Sequence, residues 1–592
     1  MAYDVTDCGL VVGQLRTFVD MPNGPLPVYR AFVYSTRPRF GLPQEEVVFL
    51  PSIDADDARR DEIPAIARDV NADGWIVGDV GEALPTGEDL VNRRAIAWRL
   101  TASGEVETRQ VHPPSKDGFV GYQSGGYGWL SAVSEGPQPW SAANFATNEF
   151  CSFGGTGIRF EQVAAVELNT NPPLVTHRVP CEYRFTPDTG DYGRQDAQGI
   201  SPDGRVLCGT RKTCGYCLSC NGSPCNTRAR QWLPLEDCPE LVDELVSAGC
   251  TLDSLFTVAC LTPDPIQNSS PLAAWQNAVL GNSSAAGYVS ERWPEIALPM
   301  FGCAPWAFVW RPIPPCSQYQ NCTIATAPPS LGWKLPILDL DGLFGSEAFD
   351  LEQNLTTSRG LRQGHFVVGD VRWRLDEKPE PSIRGYLWFK DGASLEASAE
   401  WQAADVNSLI SPLSPPEGYS QVTVRALRGV NRNGDAVGVA ELRLAGNPSA
   451  DPVRRAVLLR AVPLGLVGDV DGEGTVGAAD LAILLSAWCT QGGARRCDAV
   501  SDLNCDGSVG AADLALLLSN WSNSGGPRAL AQTGTPVPPA LALESMQDLQ
   551  FSIHFVGLGD IDGYKSWAAT APTPLRELVE GVVWDMTKGD PN

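Results

Sequence analysis

The hydrophobic positions of residues 4–460 fall into short runs that recur in pairs. A first arm begins with a turn, continues through a β-rich run and ends at glycine, and a second arm reads Arg-Ala-aromatic or a close variant. The first arms are Asp7–Gly13, Asn71–Gly78, Ser201–Gly209, Gly281–Gly287, Arg362–Gly369 and Asn431–Gly438. The second arms are Arg30–Tyr34, Arg94–Trp98, Arg228–Trp232, Trp306–Trp310, Arg384–Trp388 and Arg455–Leu459. This order predicts a repeated unit built from strands.

Each part of the unit has a physical reading. Asn-Gly and Asp-Gly pairs supply the positive φ of a tight turn, and the β-branched run that follows predicts a strand. The glycine at its end is expected to let the backbone leave the sheet. Alternation in the second arm places its aromatic residues on one face, where neighbouring sheets can stack. The interval between Trp98 and Ser201 has room for a seventh copy, with Asp117–Tyr122 as a weak candidate for its first arm.

A long repeat made of strands predicts propeller blades before solenoid coils, and leaves an irregular β-sandwich array as the alternative. The pattern resembles the HAF-type extracellular repeats of bacteria, which implies an exported, β-propeller-like module without a settled activity. We therefore expect a mainly β fold, with six or seven propeller-like blades over residues 1–462. The first copy lacks residues for a strand before its opening arm, so we expect the true N-terminus to be missing.

Two acidic, glycine-punctuated strings, GDVDGEGTVGAAD and SDLNCDGSVGAAD, follow one another near the C-terminus. Carboxylates and amides at every second position, a glycine at the sixth and an aspartate at the twelfth match a calcium-binding loop of EF-hand type. The predicted ligands of two Ca²⁺ sites are Asp469, Asp471, Glu473, Thr475 and Asp480, then Asp502, Asn504, Asp506, Ser508 and Asp513. Gly477 and Gly510 leave the ninth position to water.

An amphipathic helix is predicted after each loop, with apolar residues spaced as on one packed face. They are Leu481, Leu484, Leu485 and Trp488, then Leu514, Leu517, Leu518 and Trp521. Pro463 and Gly465 exclude an entering helix before the first loop. The sequence therefore predicts a small α-helical domain of paired loop–helix units.

This tandem resembles a type I dockerin, and more narrowly the dockerin-like modules of planctomycete exported proteins, over residues 466–522. The resemblance implies calcium binding and attachment to a cohesin-like or other cell-surface protein. Glu473 stands where aspartate is usual, which weakens the expectation for the first site. Alanines occupy the loop positions that select a cohesin in cellulosomal dockerins, so the resemblance gives little support for a cellulosomal cohesin as the partner. A calcium-folded cap without a partner remains the alternative.

Composition adds a location and excludes some partners. The formal net charge of -26 argues against nucleic acid, whose phosphates require lysine and arginine. Seventeen cysteines favour an oxidising, extracellular or cell-surface location, although no signal peptide is visible. No apolar run is long enough to predict a transmembrane helix.

The densest cysteine run, residues 208–225, falls between the two arms of one repeat and is predicted to be a loop insertion. Disulfides that pin the loop are favoured in an exported protein. An all-thiolate zinc site and free thiols remain alternatives, because no histidine lies nearby.

No catalytic set is visible in the sequence. Four dispersed histidines allow no spacing argument, and the 70 acidic residues single out no pair. Trp140, Trp275, Trp293 and Trp333 could stack on sugars, but are interpreted first as core. Residues 523–542 read as a linker, and 543–592 as a strand and a helix of unknown role. We therefore favour a non-enzymatic, calcium-binding exported protein with a propeller as binding module; the alternative is a dockerin-bearing enzyme of polysaccharide degradation.

Overall fold

A computed structural model describes residues 1–556 with gaps. The longer gaps are 53–62, 84–89, 112–126, 148–159, 179–192, 214–225, 235–255, 261–266, 293–302, 312–330, 338–342, 355–363, 374–381, 392–400, 463–467, 471–475, 489–500, 504–508 and 522–549, and residues 557–592 also lie outside the described part. Among the described residues, no helix is both long and apolar enough to cross a membrane.

In the described part the chain forms seven four-stranded sheets, each an antiparallel meander of consecutive strands. Sheet 1 contains β1 (Ala2–Val5), β2 (Leu10–Met21), β3 (Gly24–Ser35) and β4 (Val47–Phe49). Sheet 2 contains β5 (Ala65–Val70), β6 (Trp75–Ala83), β7 (Leu90–Leu100) and β8 (Val106–Gln110). Sheet 3 contains β9 (Tyr127–Val133), β10 (Trp140–Thr147), β11 (Phe160–Glu167) and β12 (Leu174–Arg178). Sheets 4 and 5 contain β13 (Gly193–Ile200), β14 (Leu207–Thr213), β15 (Asn226–Pro234) and β16 (Phe256–Cys260); β17 (Gln267–Asn277), β18 (Asn282–Arg292), β19 (Cys303–Arg311) and β20 (Leu331–Lys334). Sheets 6 and 7 contain β21 (Leu343–Asn354), β22 (Gly364–Trp373), β23 (Ser382–Asp391) and β24 (Gln402–Asp405); β25 (Tyr419–Val430), β26 (Ala436–Leu444), β27 (Val453–Val462) and β28 (Gln550–Val556).

The sheets follow one another around a closed ring. The first strand of each sheet contacts the first strand of the next, and β25 of the last sheet contacts β1 of the first. These first strands are therefore innermost and line a central channel. The arrangement confirms the prediction of a mainly β, propeller-like domain.

The predicted arms are the middle strands of the sheets. The first arms lead into the second strands, and the second arms lie in the third strands, as Arg30–Tyr34 does in β3. The expectation that the first copy lacks its opening strand is wrong, because β1 precedes the first arm and pairs with β2. Sheet 3 occupies the interval predicted for a seventh copy; its second strand is β10, and Asp117–Tyr122 lies outside the described residues.

The glycine that ends each first arm does not release the chain from the sheet, which corrects the sequence interpretation. Gly78 and Gly369 lie inside β6 and β22, paired on both sides. A Cβ at either position would come closer than 3.0 Å, a separation that real Cβ atoms essentially never show, to the carbonyl oxygen of Ile66 or of Glu347 on the first strand. Gly13, Gly209 and Gly438 are constrained in the same way. These glycines allow two strands to approach closely.

A β-bulge on the innermost strand occurs at the equivalent place in every sheet, including sheet 3, where Ala143 stands in place of the glycine. Next to the Ala67–Gly78 pair, the register shifts and Arg68 has no partner in the ladder. Phe349 and Arg428 occupy the same place in sheets 6 and 7. A bulge bends its strand and redirects the extra side chain.

Asparagines at the turns join neighbouring sheets. Asn71 accepts hydrogen bonds from its own turn, in which Gly74 has φ of +79°, and its Nδ2 donates to the carbonyl oxygen of Ser134 in the next sheet at 2.8 Å. Asn431 makes the equivalent bond to Thr6, 2.9 Å long, which joins the last sheet to the first. The predicted positive-φ turns are thus confirmed, and the same residues help to close the ring.

Aspartates next to the bulges make a second set of inter-sheet bonds. Asp69 Oδ2 accepts from the Val133 backbone at 2.7 Å, and Asp350 Oδ2 accepts from Val430 at 2.8 Å. Asp4 bonds to Val70 in the same manner. Burial and the neighbouring Asp4 carboxyl, to which Asp69 is hydrogen-bonded, raise the pKa of Asp69 well above its usual value.

The aromatic residues that end three second arms, Tyr34, Trp98 and Trp388, face the core, as their alternation predicted. Trp98 and Trp388 are fully buried between sheets. Each indole donates to a backbone carbonyl, Trp98 to Pro51 at 2.6 Å and Trp388 to Pro336 at 2.7 Å. The pairing satisfies the one polar atom of a large buried ring.

Sheet 7 is completed by a strand from beyond the predicted linker. β28 pairs along β27, so residues 550–556 of the predicted C-terminal segment belong to the propeller. Between these two strands lie α2 (Ala478–Ser486) and α3 (Ala511–Ser519), which contact each other. The short α1 (Val406–Leu409) follows β24. The repeat domain thus extends past residue 462, and the loop–helix pair is an insertion in its last sheet.

We predict that Gly78→Ala destabilises the propeller by about 1–3 kcal/mol, because the new methyl group collides with the carbonyl of Ile66. The matched control is Gly446→Ala, where no atom lies within 4 Å of the added Cβ. Chemical denaturation of the two variants beside the wild type measures the difference. Equal losses in both variants would contradict the close-approach argument.

Stability should also respond to pH through Asp69. Its folded pKa lies above its unfolded one, so between the two values the folded chain holds a proton that the unfolded chain has released, and stability falls as pH rises. Asp4→Asn removes the neighbouring carboxyl and should flatten this fall. Melting temperatures measured upward from about pH 4, near the unfolded pKa of aspartate, test it. The control Glu107→Gln, at a carboxylate 51% exposed on β8, should keep the wild-type slope.

Candidate functional site

The bulge residues bring polar and aromatic side chains to the innermost strands. One residue per sheet occupies the position: Tyr3, Arg68, Ser131, Gln198, Leu272, Phe349 and Arg428. All but Leu272, whose burial is not described, are partly exposed, whereas most of their neighbours on the same strands are buried. Since these strands line the channel, we take this set, the bulge ring, as the surface that a ligand in the channel would meet.

Two carboxyl groups, one buried and one partly buried, lie together beside this ring in sheet 6. Glu347 on β21 and Asp370 on β22 are directly opposite in the strand register. Arg372 bridges them, with Nη2 at 2.9 Å from Glu347 Oε2 and Nε at 3.3 Å from Asp370 Oδ1. The guanidinium of Arg428 stacks on the Phe349 ring with its Cζ 3.6 Å from the centroid. We call these five residues the channel cluster.

Both carboxyl groups of the channel cluster have raised pKa values. Burial raises the pKa of Glu347, the Asp370 carboxylate adds to the shift, and Arg372 and Arg428 oppose it. Burial also raises the pKa of Asp370 against the pull of Arg372 and Arg428. The Glu347 side chain is 16% exposed and that of Asp370 3%, so Glu347 is the one within reach of a ligand. A buried carboxyl group with a raised pKa is suited to proton transfer.

A second polar group lies in sheet 2. Arg68 Nε donates to the fully buried Asp79 at 2.6 Å, and Arg93 Nε lies 3.7 Å from the other oxygen of that carboxylate. Burial lowers the pKa of Arg68, and the charge of Asp79, with smaller effects of Tyr3 and Asp196, raises it. This arginine is therefore held by a protein carboxylate.

Sequence reasoning did not find the carboxyl pair. Nothing in 70 acidic residues distinguishes Glu347. A partial signal exists at Asp370, because it directly follows the close-approach glycine of its arm, as Asp79 does in sheet 2. Only the strand register brings Glu347 opposite.

The predicted calcium ligands fall mostly outside the described residues. Asp469, Asp471, Glu473, Thr475, Asn504, Asp506 and Ser508 are in that group. Asp480, Asp502 and Asp513 are described, and all three are buried. Among the described residues no group of three or more metal-ligating side chains occurs.

The carboxylates at the end of each loop nevertheless fit a cation site. Asp480 accepts hydrogen bonds from the backbone of Val470 at 2.6 Å and of Gly477 at 2.7 Å, one to each oxygen. Asp513 accepts from Gly510 at 2.8 Å. These bonds fix the orientation of both carboxylates at the ends of the two loops, and a carboxylate at this position can bind Ca²⁺. At Gly477 and Gly510, where a water ligand was expected, no described atom lies within 4 Å of an added Cβ.

The two helices pack on a narrower face than their spacing predicted. Leu484 and Leu517 are buried in a shared core with Val470, Val476 and Val509. Leu485, Leu518 and Trp488 are instead 50%, 51% and 44% exposed. Two short helices bury only the side chains that face each other, so the residues beside them remain at the surface.

Cys208 does not belong to the predicted cysteine-rich loop. It lies in β14, is buried and has a free thiol, and burial raises the pKa of that thiol. Cys208 therefore forms no disulfide, and the other cysteines of the run, in residues 214–225, lie outside the described part. Of the tryptophans considered for sugar stacking, Trp140 packs against the core, in line with its first interpretation.

No family model matches this chain, and no curated protein matches it. Two solved structures are similar: a polysaccharide lyase of family PL25, an ulvan lyase, and the same type of enzyme bound to -[GlcA(1-4)Rha3S]-. Both have 9% identity and cover 77% of this chain and 91% of the other, with TM-scores of 0.38 and 0.37. Values this low carry no inference about function.

Proposed function

We propose that this chain is a carbohydrate-active enzyme that binds a polysaccharide in the propeller channel and cleaves it at the channel cluster. The observation that carries the proposal is the Glu347–Asp370 pair, directly opposed on the first two strands of sheet 6 beside the aromatic ring of Phe349. Enzymes that cleave glycosidic bonds use carboxyl groups, and aromatic side chains beside them can bind the sugar. This favours the enzymatic alternative over a purely structural propeller.

Each residue has a role in the proposed reaction. Glu347, the more exposed carboxyl group, is the residue that donates a proton to the sugar or accepts one from it. Asp370 helps to keep that proton on Glu347 at higher pH, since a second negative charge disfavours ionisation. Arg372 contacts both groups and fixes their orientation. Phe349 offers a ring face to a sugar.

The loop–helix pair is proposed to bind two Ca²⁺ ions and to act as tether or cap. Asp469, Asp471, Glu473, Thr475 and Asp480 would hold one ion, and Asp502, Asn504, Asp506, Ser508 and Asp513 the other. The buried Asp480 and Asp513, fixed at equivalent positions, support the proposal. The exposed Leu485, Trp488 and Leu518 offer an apolar surface to a cohesin-like or other cell-surface protein. An extracellular location follows from this proposal and from the cysteine content.

We predict that the purified chain cleaves a polysaccharide and that Glu347→Gln lowers the rate by at least about a hundredfold, because general acid–base catalysis contributes that much. Release of reducing ends and absorbance of unsaturated sugars, measured over neutral and acidic polymers, report hydrolysis and elimination. Glu107→Gln, a paired carboxylate on the outermost strand β8, is the control and should keep full activity.

Two outcomes would contradict the enzymatic proposal. One is the absence of turnover on every polymer tested. The other is a Glu347→Gln variant as active as the control.

For calcium, we predict that calorimetry on chelator-treated protein detects two binding events and that the ion raises the melting temperature. A ligand at a hundredfold excess over its Kd stabilises by about 2.7 kcal/mol. The Asp480→Asn, Asp513→Asn double variant should lose the heat and the calcium-dependent shift. Asp405→Asn, at a paired carboxylate on β24, is the control and should retain both. A melting temperature indifferent to calcium in the wild type would exclude the tether proposal.

A further inference from the structure

We propose that the channel selects acidic polysaccharides and that Arg428 binds the anionic group, a carboxylate or a sulfate, of the sugar stacked beside it. The inference rests on the proposed function and adds the class of substrate and a residue that determines it. It is carried by the position of Arg428 in the bulge ring and by the contacts of its guanidinium.

The guanidinium of Arg428 is held in place without being neutralised. It lies over the Phe349 ring, with Cζ 3.6 Å from the centroid. Among the described residues it forms neither a hydrogen bond nor an ion pair, and its Nε is buried without a partner. A stacked guanidinium keeps its N–H edges free, and these edges match the geometry of a carboxylate or sulfate.

The nearby carboxyl groups do not take that place. Glu347 and Asp370 contact Arg372, not Arg428. The charge of Arg428 lowers the pKa of both carboxyl groups, whereas burial raises it, but among the described residues neither group forms a hydrogen bond or an ion pair with the guanidinium. The N–H edges of Arg428 are therefore left for a group that the protein does not supply.

Sheet 2 provides an internal comparison. Arg68 occupies the same bulge position as Arg428, yet its Nε donates to Asp79 at 2.6 Å. Arg68 is therefore paired with a carboxylate of the protein, whereas Arg428 is not. The difference singles out the sheet 6–sheet 7 side of the channel, where the carboxyl pair also lies, as the place for an anionic sugar.

The net charge of the chain does not by itself favour the binding of acidic polymers. At -26 the chain repels a polyanion at long range, so acidic polymers gain nothing from electrostatic steering. A preference for them has to arise from short-range contacts in the channel.

The experiment compares each acidic polymer with its own neutral form on the full-length chain. Polygalacturonate is set against the same polymer after carboxyl reduction, and dextran sulfate against dextran, with Kd from titration calorimetry. We expect the acidic form of at least one pair to bind about tenfold or more tightly, the range of a charge-assisted hydrogen bond. The pair that shows the difference identifies carboxylate or sulfate.

Arg428→Gln should abolish the difference in affinity between the acidic and the neutral form. Arg454→Gln, at an arginine 48% exposed that pairs with Glu441 in the same sheet, is the matched control and should retain it. Circular dichroism verifies that both variants fold, and the wild-type comparison stands without them.

The outcomes separate the two proposals. Equal binding of acidic and neutral forms, or a preference that survives Arg428→Gln, overturns the role of Arg428 and leaves the carbohydrate proposal standing. Binding of no polymer in either form overturns both.

Discussion

The close approach between the first two strands of sheets 1, 2, 4, 6 and 7 is the constraint on which the rest depends. A carbonyl oxygen of the innermost strand occupies the space that a Cβ would need on the second strand, so glycine is required at Gly78, Gly369 and Gly438. Beside these pairs the innermost strand carries an extra residue. A bulge there changes the direction of two consecutive side chains, and both side chains have a role in the structure.

The residue in the bulge and the residue after it have different tasks. Arg68, Phe349 and Arg428 are bulge residues and line the channel. Asp69 and Asp350 follow the bulge and accept backbone hydrogen bonds from the next sheet. One local irregularity therefore supplies both the bonds between sheets and the side chains that a ligand meets. A rigid inter-sheet framework under the channel side chains is what a binding or catalytic site requires.

The loop–helix pair is tied to the propeller at both of its chain ends. It leaves from β27 and returns to β28, which pair with each other in sheet 7. A calcium-dependent change in its folding would therefore act on the connection between two strands of one sheet. Its own core is small, with Leu484 and Leu517 at the centre, so bound ions would contribute much of its stability.

The sequence determined what depends on neighbours along the chain. The turns at Gly74 and Gly434, the strands after them, the inward aromatic residues Trp98 and Trp388 and the two helices could all be predicted, because φ preferences and hydrophobic periodicity act within a few residues. The tertiary structure alone decided the pairing of β28 with β27 and the position of Glu347 opposite Asp370. Strand register joins residues distant in the chain, and a single-residue shift at a bulge changes which side chains meet, so local pattern cannot specify the site.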